Sequence, residues 1–310
     1  MYYLGVDLGG TNIVVGLIDE SGKIIKSITK PTIATRKSEE IFDDIINMCK
    51  EIISEFSLTK ENLKGIGMGI PGEIDSKKGI INYSNNIPFK NFNAKEYVEK
   101  ELDFPIAFAN DADCAALGEL VAGSAKGCSD IIILTLGTGV GGGIIINGKI
   151  YSGYYAGGAE LGHMTIIHNG IECSCGNKGC LESYASATAL IRDAKISATN
   201  NPSSALNNED IENITAKFVF DTAEKGDTVA KELVENYIEY LAVGVANFIN
   251  IFKPEMILLG GGISKQGEKL VKPLIEKTSK KLFGGSMLTK IDIATLGNDA
   301  GLIGAAMLVR

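Results

Sequence analysis

The chain has 310 residues, 38 acidic and 30 basic side chains, a formal net charge of −8 and 45% hydrophobic residues. That length has room for two domains with their own cores, and the acidic balance argues against a general nucleic-acid binder, which needs a basic footprint. No apolar run is long enough to span a bilayer, and MYYLGVDLGG lacks a positive leader, so a cytoplasmic protein without a signal peptide or membrane partner is expected.

In chain order, Tyr2–Val6 reads as a buried strand, Asp7-Leu-Gly-Gly-Thr11 as a turn and Ile13–Ile18 as a second strand. Glu20-Ser-Gly22 turns the chain into a third strand, Lys23–Thr29, which predicts an antiparallel meander. A glycine pair between strands lets a hairpin offer main-chain N–H groups to phosphate oxygens. Thr11 adds a hydroxyl, and Asp7 a carboxylate able to hold a hydrated divalent cation. Taken alone, the motif is better explained by an ordinary structural turn.

Apolar residues at 41, 45, 48, 52, 53 and 56 predict an amphipathic helix over Ile41–Phe56, with Ser38 as N-cap and Glu39 and Glu40 in its first turn. Gly65–Ile70 reads as a strand ending at Pro71-Gly72. Pro105–Ala109 reads as a short strand ending at Asn110-Asp111, before a helix from Ala112 to about Val121. Asp111 is placed either to accept a proton from an attacking alcohol or simply to cap that helix.

The pattern then restarts. Asp130–Leu136 is an apolar strand, followed by GTGVGGG at 137–143, Ile144–Ile146 and an Asn147-Gly148 hairpin turn. Each half thus opens with strand, glycine turn, strand and further hairpin, a weak architectural duplication with its boundary near 112–125. A long helix is expected over Thr228–Phe252, a strand over Met256–Leu259, and a glycine turn at 260–262 that opens another helix. No Gly-Lys-Ser/Thr follows, so this is not a Walker loop. Thr199–Asp210 reads as a surface excursion between helices.

Residues 160–182, ELGHMTIIHNGIECSCGNKGCLE, concentrate metal-binding chemistry. His163, Cys173, Cys175 and Cys180 suit a tetrahedral zinc site, and four protein ligands make such a site structural. The alternatives are a disulfide, buried thiols, a core histidine at 163, or His168 as a competing ligand. Cys49, Cys114 and Cys128 read as core thiols.

These motifs carry a resemblance: DLGGTN at 7–12, GIPG at 69–72, Asn86, Asn110-Asp111, GTGVGGG at 137–143, ELGH at 160–163, CSCGNKGCLE at 173–182 and LGGG at 259–262. Over nearly its whole length the chain resembles the ROK family (repressors, open reading frames and sugar kinases) of the actin-like ATPase superfamily. The resemblance implies an α/β fold of two RNase H-like (actin/hexokinase-type) lobes with an interlobe cleft and a zinc-bound loop. Residues 1–115, joined by a helix at 298–310, would form the N-terminal lobe and 116–297 the C-terminal lobe. It further implies an ATP-dependent, glucokinase-like hexose kinase acting on the C6 hydroxyl, using Mg²⁺ and a structural Zn²⁺, and assembling as a homodimer.

Carried over residue by residue, the family's base matches Asp111. Its sugar contacts match Gly72, Asn86, Asn110, Asp111, Glu160, His163 and Glu182. The nucleotide side matches Asp7, Gly9, Gly10, Thr11, Asn12, Gly137, Thr138, Gly139, Gly261 and Gly262, and the zinc ligands match His163, Cys173, Cys175 and Cys180. His163 would use one ring nitrogen for metal and the other for sugar. Asn12 stands where many relatives carry Lys, and Phe89 where many carry Trp. Kinases of other hexoses or N-acetylhexosamines are the nearest rival reading. A sugar-responsive repressor would need a helix-turn-helix ahead of the first hairpin, and a catalytically silent sugar sensor is a third reading.

Overall fold

The structure, a computed structural model, describes residues 1–84, 87–154 and 157–310. Close contacts divide the chain into two compact units. The first comprises Met1–Ile131, Gly143–Ala159 and Thr295–Arg310, and the second Ile132–Gly142 and Glu160–Ala294.

Unit 1 opens with the expected meander of β1 (Tyr2–Leu8), β2 (Asn12–Asp19) and β3 (Ile24–Pro31). The β1–β2 register runs from Tyr2 opposite Asp19 to Leu8 opposite Ile13. α1 (Ser38–Glu55) follows, and its start corrects the expected cap: Ser38 is its first residue, and the preceding Lys37 makes no side-chain capping bond. The anionic Glu39 and Glu40 serve the first turn instead.

β4 (Leu63–Ile70) lies parallel to β1, and three short strands, β5 (Glu73–Asp75), β6 (Ile80–Tyr83) and β7 (Lys90–Asn93), form a small antiparallel sheet. After α2 (Ala94–Glu99), β8 (Ile106–Asn110) pairs parallel with β4 and leads directly into α3 (Asp111–Ala122). The main sheet therefore has the order β3-β2-β1-β4-β8.

Both faces of that sheet are covered, which is why β1 and β4 are apolar almost throughout. On one face Leu4, Val6, Leu8, Val15 and Leu17 meet Ile41, Phe42, Ile45, Met48 and Ile52 of α1. On the other, Tyr3 and Ile18 meet Leu302, Ala306 and Met307 of the C-terminal helix Asp299–Met307. That helix lies so close that a Cβ on Gly67 would stand 1.7 Å from the Ala305 carbonyl oxygen. Cys49 and Cys114 are buried thiols as expected, and Cys128 is half-buried.

The second sheet repeats the arrangement. β9 (Ile131–Leu136), β10 (Val140–Ile146), β11 (Lys149–Ile150), β12 (Met256–Gly260) and β13 (Lys290–Ile293) stand in the order β11-β10-β9-β12-β13. Asn147 (φ +52°) and Gly148 (φ +72°) form the expected left-handed two-residue turn between β10 and β11. The helices α4 (Glu182–Ala185), α5 (Ala187–Asn200), α6 (Ala216–Glu224), α7 (Thr228–Phe252), α8 (Gly261–Ser264) and α9 (Glu268–Ser279) belong to unit 2. The segment 199–210 is exposed at 199–203 and 207–210, the expected surface excursion between α5 and α6, and it is pinned at its middle by buried Ser204 and Leu206, with Asp227 accepting from the Ser204 hydroxyl at 3.1 Å. Among the described residues no helix is long and apolar enough to cross a membrane.

Candidate active site

Unit 1 gathers its candidate residues at the carboxyl ends of three neighbouring parallel strands, where ligands of open α/β sheets bind. The register sets this up, with Asp7 of β1 opposite Gly69 of β4, and Gly69 and Ile70 opposite Ala109 and Asn110 of β8. The hairpin of Gly9, Gly10 and Thr11 follows β1, and Gly10, Thr11 and Asn12 are exposed. The Gly9 N–H donates to the Asn12 carbonyl at 2.9 Å. That donor is spent on closing the turn, so phosphate oxygens would be left to the other amides and the Thr11 hydroxyl.

Asn110 rather than Asp111 caps α3. Its Oδ1 accepts from the Ala112 N–H at 2.8 Å, and its Nδ2 donates to the Gly72 carbonyl at 3.0 Å. Gly72 can serve there because it has φ +111°, and a Cβ would collide with the Tyr83 carbonyl oxygen at 2.2 Å. Asn86, the remaining expected sugar contact of this unit, lies outside the described residues.

Asp111 is the first residue of α3 and accepts from the Ala112 N–H at 3.0 Å through one carboxylate oxygen. Its side chain is open to water at the surface. The protein around it still raises its pKa, chiefly by removing solvent, against the lowering effect of the Ala112 and Asp111 amides. Burial, and secondly the charge of Asp111, pushes Asp7 up to about 6. Two acids of raised proton affinity in one place are suited to a bound cation and to proton acceptance.

Unit 2 holds the cysteine loop. The ligand atoms of His163, Cys173, Cys175 and Cys180 all lie within 4.8 Å of one another. The Cys175 and Cys180 sulfurs are 3.7 Å apart, and the Cys173 sulfur is 3.5 Å from His163 Nδ1. A tetrahedral ion with bonds of about 2.3 Å to sulfur and 2.0 Å to nitrogen has sulfur–sulfur and sulfur–nitrogen edges of about 3.8 and 3.5 Å, so the donor set fits such an ion. It does not fit a disulfide, whose sulfurs stand about 2.05 Å apart. His168 stays out of the cluster, its Nε2 lying 3.1 Å from the Asn169 amide.

Local turns build this cage. The Cys173 N–H donates to Asn177 O at 2.8 Å, and Gly176 (φ +86°) sends its N–H back to Cys173 O at 2.9 Å. Burial raises the Cys173 thiol, but hydrogen bonds from Cys175, His163 and Cys180 outweigh it and bring the pKa down to about 7. Burial and the neighbouring thiols push Cys180 up to about 12. Three thiols in so small a volume cannot all ionise without a cation among them.

Glu182, at the start of α4, is the link between loop and hairpin. Its Oε2 accepts from the Val140 N–H at 3.0 Å, and its Oε1 from the Ser174 hydroxyl at 3.2 Å. Gly139 makes room for it, since a Cβ there would lie 2.3 Å from that Oε2. Nothing in the sequence pairs residues 140 and 182. Glu160 is exposed just ahead of the short 3₁₀ turn Leu161–His163 and accepts the His163 N–H through its backbone carbonyl at 3.1 Å. In the 137–139 turn, the Gly137 N–H is used by Gly139 O at 3.0 Å, and Thr138 stands at its tip. Gly261 (φ +81°) backs onto the Leu136 carbonyl, 2.5 Å from where a Cβ would be, and Gly262 has open space in that direction.

Residues 3–310 match the family model described as the ROK family, and the chain belongs to that family. It is 38% identical over 318 residues to a glucokinase of Halalkalibacterium halodurans, covering 100% of this chain and 95% of that relative. A crystal structure of a ROK family glucokinase from Streptomyces griseus in complex with glucose and AMPPNP is 34% identical, with a TM-score of 0.79 over 99% of both chains. A ROK hexokinase from Thermus thermophilus is 32% identical, with a TM-score of 0.86 over 99% of this chain and 97% of that one. The α/β fold is the one these ROK kinases share.

Proposed function

We propose that this chain, an ATP-dependent sugar kinase of the ROK family, phosphorylates the C6 hydroxyl of glucose with Asp111 as general base. The observation that carries the reading is the placement of Asp111. It follows the carboxyl end of β8, still reachable from solvent but with a pKa raised by the protein packed around it, beside a second acid, Asp7, that leads into a glycine hairpin. A base of raised proton affinity takes a hydroxyl proton more readily than an ordinary carboxylate does.

Asp111 accepts the C6 hydroxyl proton as that oxygen attacks the γ-phosphorus. The new O–P bond forms as the bond from the γ-phosphorus to the bridging oxygen breaks, and ADP leaves. Sugar hydroxyls are held by Gly72, Asn86, Asn110, Glu160, His163 and Glu182. His163 turns Nδ1 to the thiols, which leaves Nε2 for a hydroxyl. Gly10, Thr11, Asn12, Thr138, Gly139, Gly261 and Gly262 hold the nucleotide through backbone and hydroxyl groups. Asp7 would hold the hydration shell of the nucleotide's Mg²⁺, which supplies charge neutralisation at the phosphates.

The four-ligand cluster is assigned to zinc on its Cys₃His donor set and edge lengths. Its role is structural: it fixes the loop so that Glu182 and His163 keep their orientation.

A panel of hexoses and N-acetylhexosamines, with ATP and Mg²⁺ and with 6-deoxyglucose as control, tests the reading through ADP release. Turnover with glucose and none with 6-deoxyglucose is expected. A strong preference for an N-acetylated sugar would refute the glucose assignment while keeping the chemistry, and turnover of 6-deoxyglucose would refute C6 as the acceptor.

A further inference from the structure

Thr32 is fully buried just beyond the end of β3, and both its side chain and its backbone are spent on the first glycine hairpin. Its hydroxyl donates to the Gly9 carbonyl at 2.6 Å, and its N–H donates to the Thr11 carbonyl at 2.8 Å. A trans peptide is planar, with C=O and the following N–H pointing in opposite directions. Pulling the Gly9 carbonyl towards Thr32 therefore turns the Gly10 N–H away from it, and the same holds for Thr11 and the Asn12 N–H. Two adjacent glycines have no rotameric or Cβ constraint of their own to set these planes, so an outside hold is needed.

The hold is itself braced. Arg36 donates Nε and Nη2 to the Thr32 carbonyl at 3.1 and 2.8 Å, and Nη1 to Asp44 of α1 at 2.7 Å. Asp44 also pairs with Lys30 of β3 at 3.2 Å. Burial opposes ionisation of Asp44, but hydrogen bonds from Arg36 and Lys30 prevail and hold its pKa below the usual value. To aim Arg36 backwards, the chain turns through Ile33 at φ +48°, with the Arg36 N–H on Ile33 O at 3.0 Å. The left-handed region is costly for a β-branched residue, and such strain persists only where surroundings enforce it.

We propose that Thr32 is a positioning residue for the nucleotide: through Gly9 it aims the Gly10 amide at the phosphates, with Arg36 and Asp44 as its brace. This rests on the reading of the hairpin as a nucleotide-phosphate site. Thr32→Val keeps the shape and the backbone bond and removes only the hydroxyl. MgATP affinity by titration calorimetry, KM for ATP, KM for glucose, kcat and melting temperature are measured together.

Thr32→Val should raise the KM and Kd for MgATP about tenfold, the scale of one well-placed hydrogen bond, while the KM for glucose stays within about twofold. Thr32→Ser, which restores the hydroxyl, should return MgATP affinity to near the wild-type value. A lowered melting temperature with unchanged MgATP affinity would reduce Thr32 to a packing residue and overturn the proposal.

Thr11→Ala, inside the hairpin, separates the two levels. If it weakens MgATP binding and Thr32→Val does not, the positioning role fails and the phosphate site stands. If neither variant changes MgATP affinity, the nucleotide reading of the hairpin fails and the proposal with it. Should Thr32→Val not fold, Arg36→Met tests the brace at a side chain that is 23% exposed. A rise of about threefold in the KM for ATP is expected there, and an unchanged KM would overturn the proposal.

Discussion

Asp7 is costly to the fold, and the cost should be measurable. Burial, followed by repulsion from Asp111, raises its pKa from 3.8 to about 6. At roughly 1.4 kcal/mol per pKa unit, ionising it in the folded chain costs about 3 kcal/mol more than in the unfolded chain. The sign follows from proton counting. Between pH 3.8 and about 6 the folded state binds more protons at this group than the unfolded state, so stability falls as pH rises through that window.

Asp7→Asn removes the charge and keeps the shape. Because Asp7 retains some solvent access, the expected gain is discounted to about 1–3 kcal/mol near pH 8, or several degrees in melting temperature. Near pH 4 the difference should largely vanish. Thermal melts of both proteins without nucleotide, at the two pH values, read this directly. A variant less stable than wild type near pH 8, or a gain that does not depend on pH, would refute the assignment of a strained acid. If Asp7 holds the nucleotide's cation as proposed, kinase activity should fall even as stability rises.

Other consequences can be checked with the same preparations. The Asp111 carboxylate must be ionised to accept a proton, so kcat/KM should fall on acidification at a pH above the ordinary carboxylate range, as the raised pKa requires; an acid limb unchanged in Asp111→Asn would exclude it as the titrating group. Cys175→Ser should lower metal content by elemental analysis from about one ion per chain and weaken sugar binding about tenfold or more, and full sugar affinity in metal-free protein would contradict the bracing role of the loop. Gly67→Ala should cost about 3 kcal/mol or prevent folding, since its Cβ would stand 1.7 Å from Ala305 O. A wild-type melting temperature would mean that the C-terminal helix does not lie against β4.

What the sequence disclosed, and what it hid, follows from the range of the interactions. The meander of β1–β3, the Asn147-Gly148 turn and α7, which spans the expected Thr228–Phe252, are set by local periodicity and turn chemistry. The duplicated opening shows up as matched sheet orders, β3-β2-β1-β4 and β11-β10-β9-β12. The cysteine loop was legible because soft ligands were concentrated within eighteen residues. The small sheet of β5–β7 was not, since strands of three or four residues are too short to show a period.

Both caps fall one position earlier than expected, at Asn110 and at Lys37; at α3 the Asn110 and Asp111 side chains compete for the same Ala112 amide, whereas Lys37 makes no side-chain capping bond at all. The bond from Thr32 to Gly9 spans 23 positions and that from Val140 to Glu182 spans 42. No local pattern encodes either, and both act on backbone, which carries no residue-type signal.

The measurement that bears most directly on the central claim compares Asp111→Asn with wild type in glucose binding and in single-turnover transfer from ATP. The account predicts glucose affinity within a few-fold of wild type and transfer slowed by about 10²–10⁴, the contribution of a general base. Transfer within a few-fold of wild type, with binding intact, would contradict it.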